Sequence, residues 1–208
     1  MQSPIQFDRT AISAAGPVAG YNSYAHNFAG SLLLFLLFGA QSTARNLISE
    51  REKGALLRVR LAPIRPWVAL VGVAVASALV ALAVSAAVYG VGMGIFGVQV
   101  LGSWPGFLAV ILAQAAFVGG FALLLAGLGR TEAQITSVGT FTVLVMSFAG
   151  GAMFSSFMMP GWLQIISRVL PTYWATRGLA AMTWRGLPMV DALPAIAVLL
   201  GFAASAAS

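Results

Sequence analysis

Long apolar runs alternate with short polar breaks along nearly the whole of this chain. The first run, from Phe28 to Ile48, has GSLLLFLLFGA at its centre and the aromatic residues Tyr21 and Tyr24 just ahead of it. A membrane-spanning helix needs roughly 20 apolar residues, so this run predicts a span over 28–48. The same criterion predicts spans over 67–98, 107–128, 135–154 and 189–207, the third and fourth joined by the short polar turn GRTEAQ. In the second span Ser77, Ala81 and Ser85 recur every four residues and lead to Gly90 and Gly94, a small-residue stripe expected to allow close helix approach. The stretch 155–188 differs from the spans. Pro160 and Pro171 break it, and Trp162, Tyr173, Trp174 and Trp184 stud it, which suits short helices lying at or dipping into the membrane interface.

Composition removes the soluble alternatives. Of the 208 residues 60% are hydrophobic and 8% charged, and mean hydropathy is +0.93. Soluble domains carry about 25% charge, so this chain cannot cover a water-facing surface. The expected fold is all-α, a polytopic transmembrane bundle in one domain. The formal charge of +6 changes meaning once it is placed. Arg45, Arg51, Lys53, Arg58, Arg60 and Arg65 crowd around the loop 49–66, the signature of a cytoplasmic loop rather than of a nucleic-acid footprint. With Arg130 they outweigh Arg9, Arg168, Arg177 and Arg185 on the other side, which puts the start of the chain outside and its end inside. The polar, turn-rich first residues hold no cleavable signal pattern.

The basic loop, ISEREKGALLRVRLAPIRP, is the only dense polar stretch. Ser49 and Glu52 fit an S-x-x-E capping box, predicting a short helix that starts there with Glu50 in its first turn. Leu57, Leu61 and Ile64 would share one face of it, and Pro63 and Pro66 limit it. Such a helix can lie in the headgroup layer or fit a groove on a cytoplasmic partner, and a plain positive-inside anchor accounts for the charges equally well.

The run E-R-E-x-G-x-L-x-R, here Glu50, Arg51, Glu52, Gly54, Leu56 and Arg58 followed by Pro63, resembles the loop of ABC-2 type permeases, with Ala55 where the family usually has Thr. Pro160, Trp162, Pro171, Tyr173 and Gly178 resemble that family's P-x-W and P-x-Y segment before the last span. The resemblance implies the membrane-spanning permease of an ABC exporter for drugs, lipids or polysaccharides, multi-pass in the plasma membrane, which is the inner membrane in a Gram-negative cell. In that family the loop resembles a coupling helix seated on an ATPase subunit. The resemblance also implies a second permease unit, homo- or heterodimeric, and surrounding lipid as partners. The family unit has six spans, so the five here, preceded by 1–27 as the end of an external loop, imply a first helix missing ahead of this sequence.

Candidate chemistry in the chain itself is thin. No G-x-x-x-x-G-K-[ST] occurs and Lys53 is the only lysine, so ATP and Mg²⁺ are expected on the partner subunit, with no cofactor or metal held here and no enzyme activity of its own. His26, the sole histidine, has no second His or nearby acid in sequence and reads as a wet interfacial residue. An intramembrane hydrolase would need a base and a G-x-S-x-G elbow. An ion-coupled secondary transporter, the nearer rival, would ordinarily carry acids inside its spans, whereas Glu132 falls in a turn and Asp191 at an interface.

Overall fold

The computed structural model describes residues 23–52, 66–95, 97–98, 100, 102–153, 160–183 and 185–207. These form α1 (Ser23–Glu52), α2 (Pro66–Ile95), α3 (Trp104–Leu128), α4 (Glu132–Ala149), α5 (Gly161–Ser167), α6 (Pro171–Met182), a 3-10 turn (Met189–Ala192) and α7 (Leu193–Ala207). Among the described residues, four segments are long and apolar enough to cross a membrane: Asn27–Glu50, Val71–Ile95, Trp104–Leu128 and Met189–Ala206. Helices are the expected answer where lipid offers no hydrogen bonds, because each backbone group is then satisfied within its own segment. The predicted span 135–154 corresponds to α4. It is a single helix of 18 residues, but Glu132, Gln134, Thr136 and Ser137 make its first half too polar for that group of four.

Local signals set the helix ends. Ser103 caps α3 by accepting from the Gly106 N–H at 3.3 Å, so α3 begins three residues before the predicted 107. Thr131 caps α4 in the same way, accepting from the Gln134 N–H at 3.2 Å. At the other end of α4, Gly151 adopts φ +80. The Ala152 N–H then donates to the Ser147 carbonyl at 3.0 Å and the Gly151 N–H to Phe148 at 3.4 Å. This is a Schellman ending, which needs the left-handed residue that glycine supplies without a Cβ clash.

α3 is the hub of the bundle: α2, α7 and α1 pack along it, and α6 meets its beginning. Phe117 on α3 is fully buried and meets Phe202 of α7 edge-on at 5.2 Å, and Phe107 meets Tyr89 of α2 at 4.9 Å. α4 lies chiefly along α1. Close approach depends on particular glycines. A Cβ on Gly119 would meet the Ala74 carbonyl of α2 at 2.7 Å, and one on Gly120 would meet Cα of Ala203 in α7 at 2.9 Å. The expected stripe on α2 is therefore half right. Ser77, Ala81 and Ser85 are buried, but the stripe continues to buried Tyr89, while Gly90 and Gly94 face outward with nothing near them.

Candidate functional site

The loop that carried the resemblance begins where α1 ends. α1 runs unbroken to Glu52, which corrects the capping-box reading: Ser49 is a buried residue inside the helix, not its cap. The reason is the stripe before it, in which Leu33, Leu37, Ala40, Ala44 and Ile48 are buried at helical spacing and continue one face past position 48. Glu50 is exposed in the last turn of α1. Arg51 and Glu52 belong to that turn, with side chains outside the described atoms, and Gly54, Leu56, Arg58 and Pro63 lie outside the described residues. The side chain of His26 is likewise outside them.

Beside this end of α1, a polar ladder joins α1 to α4. Gln41, buried, donates from Nε2 to the Thr136 carbonyl at 3.0 Å and to the Thr140 hydroxyl at 2.9 Å. One turn further on, Arg45 Nε lies 3.6 Å from Glu132 Oε1, both side chains being partly exposed. Gln41 and Arg45 are spaced i, i+4, as are Glu132, Thr136 and Thr140, so the two helices present matched rows. Gly139 makes room for the carboxamide: a Cβ there would meet Gln41 Cγ at 2.9 Å. An open cleft of about 590 Å³ lined by Thr131, Glu132, Ala133, Thr136 and Ser137 adjoins the ladder.

At the far end of the bundle the second group of resemblance residues comes together on α5 and α6. Pro160 precedes α5 at its N-cap, and Pro171 opens the first turn of α6, where its missing N–H costs nothing. Trp162 is 65% exposed and lies with Ile165, Ile166 and Val169 in an outward apolar row. Tyr173 meets Trp174 edge-on at 5.5 Å, and the Arg177 guanidinium lies 5.6 Å from the Trp174 ring centre while donating to the Tyr173 hydroxyl at 3.2 Å. A cation over aromatic faces in this way is attracted by the ring quadrupole. The Trp174 indole N–H donates to the Arg168 carbonyl at 2.8 Å, tying α6 back to α5. Gly178 is buried where α6 crosses α3 and α7; its Cβ would sit 3.0 Å from that of Ala195 and 3.2 Å from Val110 Cγ1. The residues at the two ends of the bundle do not form one site.

The sequence reading passed over Gln41, Gln114, Gly139 and Thr172. Gln114 is fully buried midway along α3, and neither atom of its carboxamide has a hydrogen-bond partner among the described residues. A cavity of about 50 Å³ between α1, α2 and α3 is lined by Thr43 and Ser77 among apolar side chains, with the Ser77 hydroxyl unpartnered among the described residues. The available signal was the presence of two glutamines inside otherwise apolar runs. Among the described residues no group of three or more His, Cys, Asp or Glu could hold a metal ion. What these side chains can do is make and exchange hydrogen bonds between helices.

Apolar helices of spanning length around a tightly packed hub, joined by polar contacts at their ends, define a polytopic α-helical membrane protein. The chain belongs to the ABC-2 transporter family: the family model described as an ABC-2 family transporter protein matches residues 2–205. It is 25% identical over 186 residues to the linearmycin resistance permease protein LnrN of Bacillus subtilis (strain 168), covering 85% of this chain and 46% of that protein. The chain thus spans about half the length of the curated relative it matches. No solved structure matches it.

Proposed function

We propose that this chain is a membrane-spanning permease part of an ATP-driven ABC-2 exporter, with ATP and Mg²⁺ bound by a separate ATPase subunit on the side of the basic loop. Family membership carries the reading. The structure adds support at one place: α1 is continuous to Glu52, so a partner pressing on the loop that follows would act on a rigid 30-residue lever. On this reading the loop is cytoplasmic, the end bearing α5 and α6 is external, and the protein lies in the bacterial plasma membrane. A second permease unit completes the pathway, and alternating opening between the two units moves the cargo.

The cargo we infer is amphipathic and drug- or lipid-like. The support is the name of the relative, a resistance permease.

Charge reversal of Glu50 and Glu52 to Lys in the intact transporter is expected to reduce export and co-purification of the ATPase while the permease still inserts into the membrane. Unchanged export together with unchanged co-purification would refute the coupling role. Export by ATPase-free vesicles driven by an ion gradient alone would replace this reading with ion-coupled transport.

A further inference from the structure

α4 is held in its first half and at its far end by side chains that no loop motif includes. In its first half, toward the basic loop, Gln41 of α1 spends both N–H groups on α4, at the Thr136 carbonyl and the Thr140 hydroxyl, at 3.0 and 2.9 Å. The Gly139 notch fixes the register of this contact. Sliding α4 by one turn would put Ile135 or Val143 where Gly139 now admits the carboxamide, and both are buried side chains. At its far end, the Thr172 hydroxyl of α6 donates to the Met146 carbonyl at 2.7 Å in a fully buried contact. Gly150 gives Thr172 its place, since a Cβ there would overlap the hydroxyl. Beyond Gly151 the Schellman ending brings Ala152 onto Gly30 of α1, where no Cβ would fit.

Elsewhere α4 is only lightly held. Val138, Phe141, Leu144, Val145 and Phe148 all face outward, and its contacts with α3, α5 and α6 are minor beside those with α1. A helix of 18 residues is about 27 Å long, close to the roughly 30 Å of a hydrocarbon core. A displacement of α1 at the basic loop would therefore carry α4 with it, and α4 would deliver that displacement to α5 and, together with the direct packing of α1 on α6, to α6.

We propose that α4 is a strut pinned in its first half and at its far end, and that Gln41 and Thr172 are positioning residues that couple movement of the basic loop to α5 and α6, beside the direct packing of α1 on α6. This rests on the ATP-driven reading above. Arg45–Glu132, at 3.6 Å and partly exposed, is an outer clasp of lesser weight, because partly exposed ion pairs contribute little.

The test uses the intact permease with its ATPase partner in lipid nanodiscs. This chain has no cysteine, so spin labels can be placed at N46C near the basic loop and at I165C on α5, each measured against L112C on α3; all three positions are exposed. With a non-hydrolysable ATP analogue, the unmodified protein should shift both distances. In Q41L and T172V the Asn46 distance should still shift and the Ile165 distance should stay at its nucleotide-free value, while T172S, which keeps the hydroxyl, should shift both. Export in Q41L should fall about tenfold, the scale of two lost interhelical hydrogen bonds. G139A, which closes the notch but leaves every hydrogen-bonding group, should behave as Q41L does and serves if Q41L fails to fold. The strut is overturned if the unmodified protein shifts only the Asn46 distance. It is also overturned if Q41L, G139A and T172V keep both shifts, or if T172S behaves as T172V. If the unmodified protein shows no shift at Asn46, the ATP-driven reading falls instead.

Discussion

α2 and α3 are almost equally apolar, with mean hydropathies of 2.4 and 2.3 over their spanning stretches, yet the fold treats them in opposite ways. Only 22% of the α2 stretch is buried, against 67% of the α3 stretch. α3 carries Phe117, Gly119, Gly120 and Gln114 in its buried surface, whereas Val75, Leu79, Val80 and Val91 of α2 face outward. In water such outward residues would mark an error or an interface. In lipid they are ordinary, because acyl chains solvate Leu and Val as well as a protein core does. What separates the two helices is close fit, and three experiments bear on that.

The largest contrast is expected from truncating an aromatic. Phe117→Ala on α3 should cost about 3–5 kcal/mol, the range for a buried Phe that leaves a cavity. Leu79→Ala on α2 should stay within about 0.5 kcal/mol, as for a residue outside any packed core. Both are read as unfolding free energies in lipid nanodiscs, and equal losses would break the comparison.

A smaller effect is expected from filling space. Gly119→Leu and Gly120→Leu force a side chain into the Ala74 and Ala203 backbones and should cost about 1–3 kcal/mol. Gly90→Leu and Gly94→Leu enter open space and should leave the melting temperature unchanged or slightly raised, glycine being a poor helix former. If the α2 variants prove the more damaging, that face of α2 is covered in the assembled transporter, and its outward reading needs replacing.

The smallest shift, opposite in sign, comes from Gln114→Met. An unpartnered buried carboxamide replaced by an apolar side chain of similar shape should raise stability by about 1–2 kcal/mol. Thermal unfolding and export are measured together. Greater stability with unchanged export makes Gln114 a tolerated defect of the hub. Greater stability with lost export would show that the carboxamide meets its partner during transport, and a loss of stability would mean that it is satisfied in the folded protein.

Much of the architecture was legible in the residues. The hydrophobic runs located the helices to within a few residues, and the ends that moved did so for local reasons: Ser103 and Thr131 start α3 and α4 early, and Gly151 ends α4 before 154. The S-x-x-E pattern at Ser49 misled because it is compatible with a helix interior, where Ser49 is simply the next buried position after Ile48. Glu50, Pro160, Trp162, Pro171, Tyr173 and Gly178 were visible as members of motifs, but their environments were not. Gly178 turns out to be a packing contact for Val110 and Ala195, and Trp162 an outward residue. Gln41, Gly139 and Thr172 were not legible because their meaning depends on partners about 100, 100 and 26 positions away along the chain.

By itself the sequence determined the solvent, the secondary structure and the family. Lipid is dictated by the scarcity of charge, helices by the need to satisfy every backbone group within its own segment, and the ABC-2 relationship by the family match over residues 2–205. Only the tertiary structure decided which of two equally apolar helices is the hub, which glycines are contacts, and that α1 and α4 share a polar joint. Hydrophobicity drives helices into lipid but not against one another. Their arrangement is therefore settled by van der Waals fit and by where a few buried polar groups find partners, and neither can be read from one segment at a time.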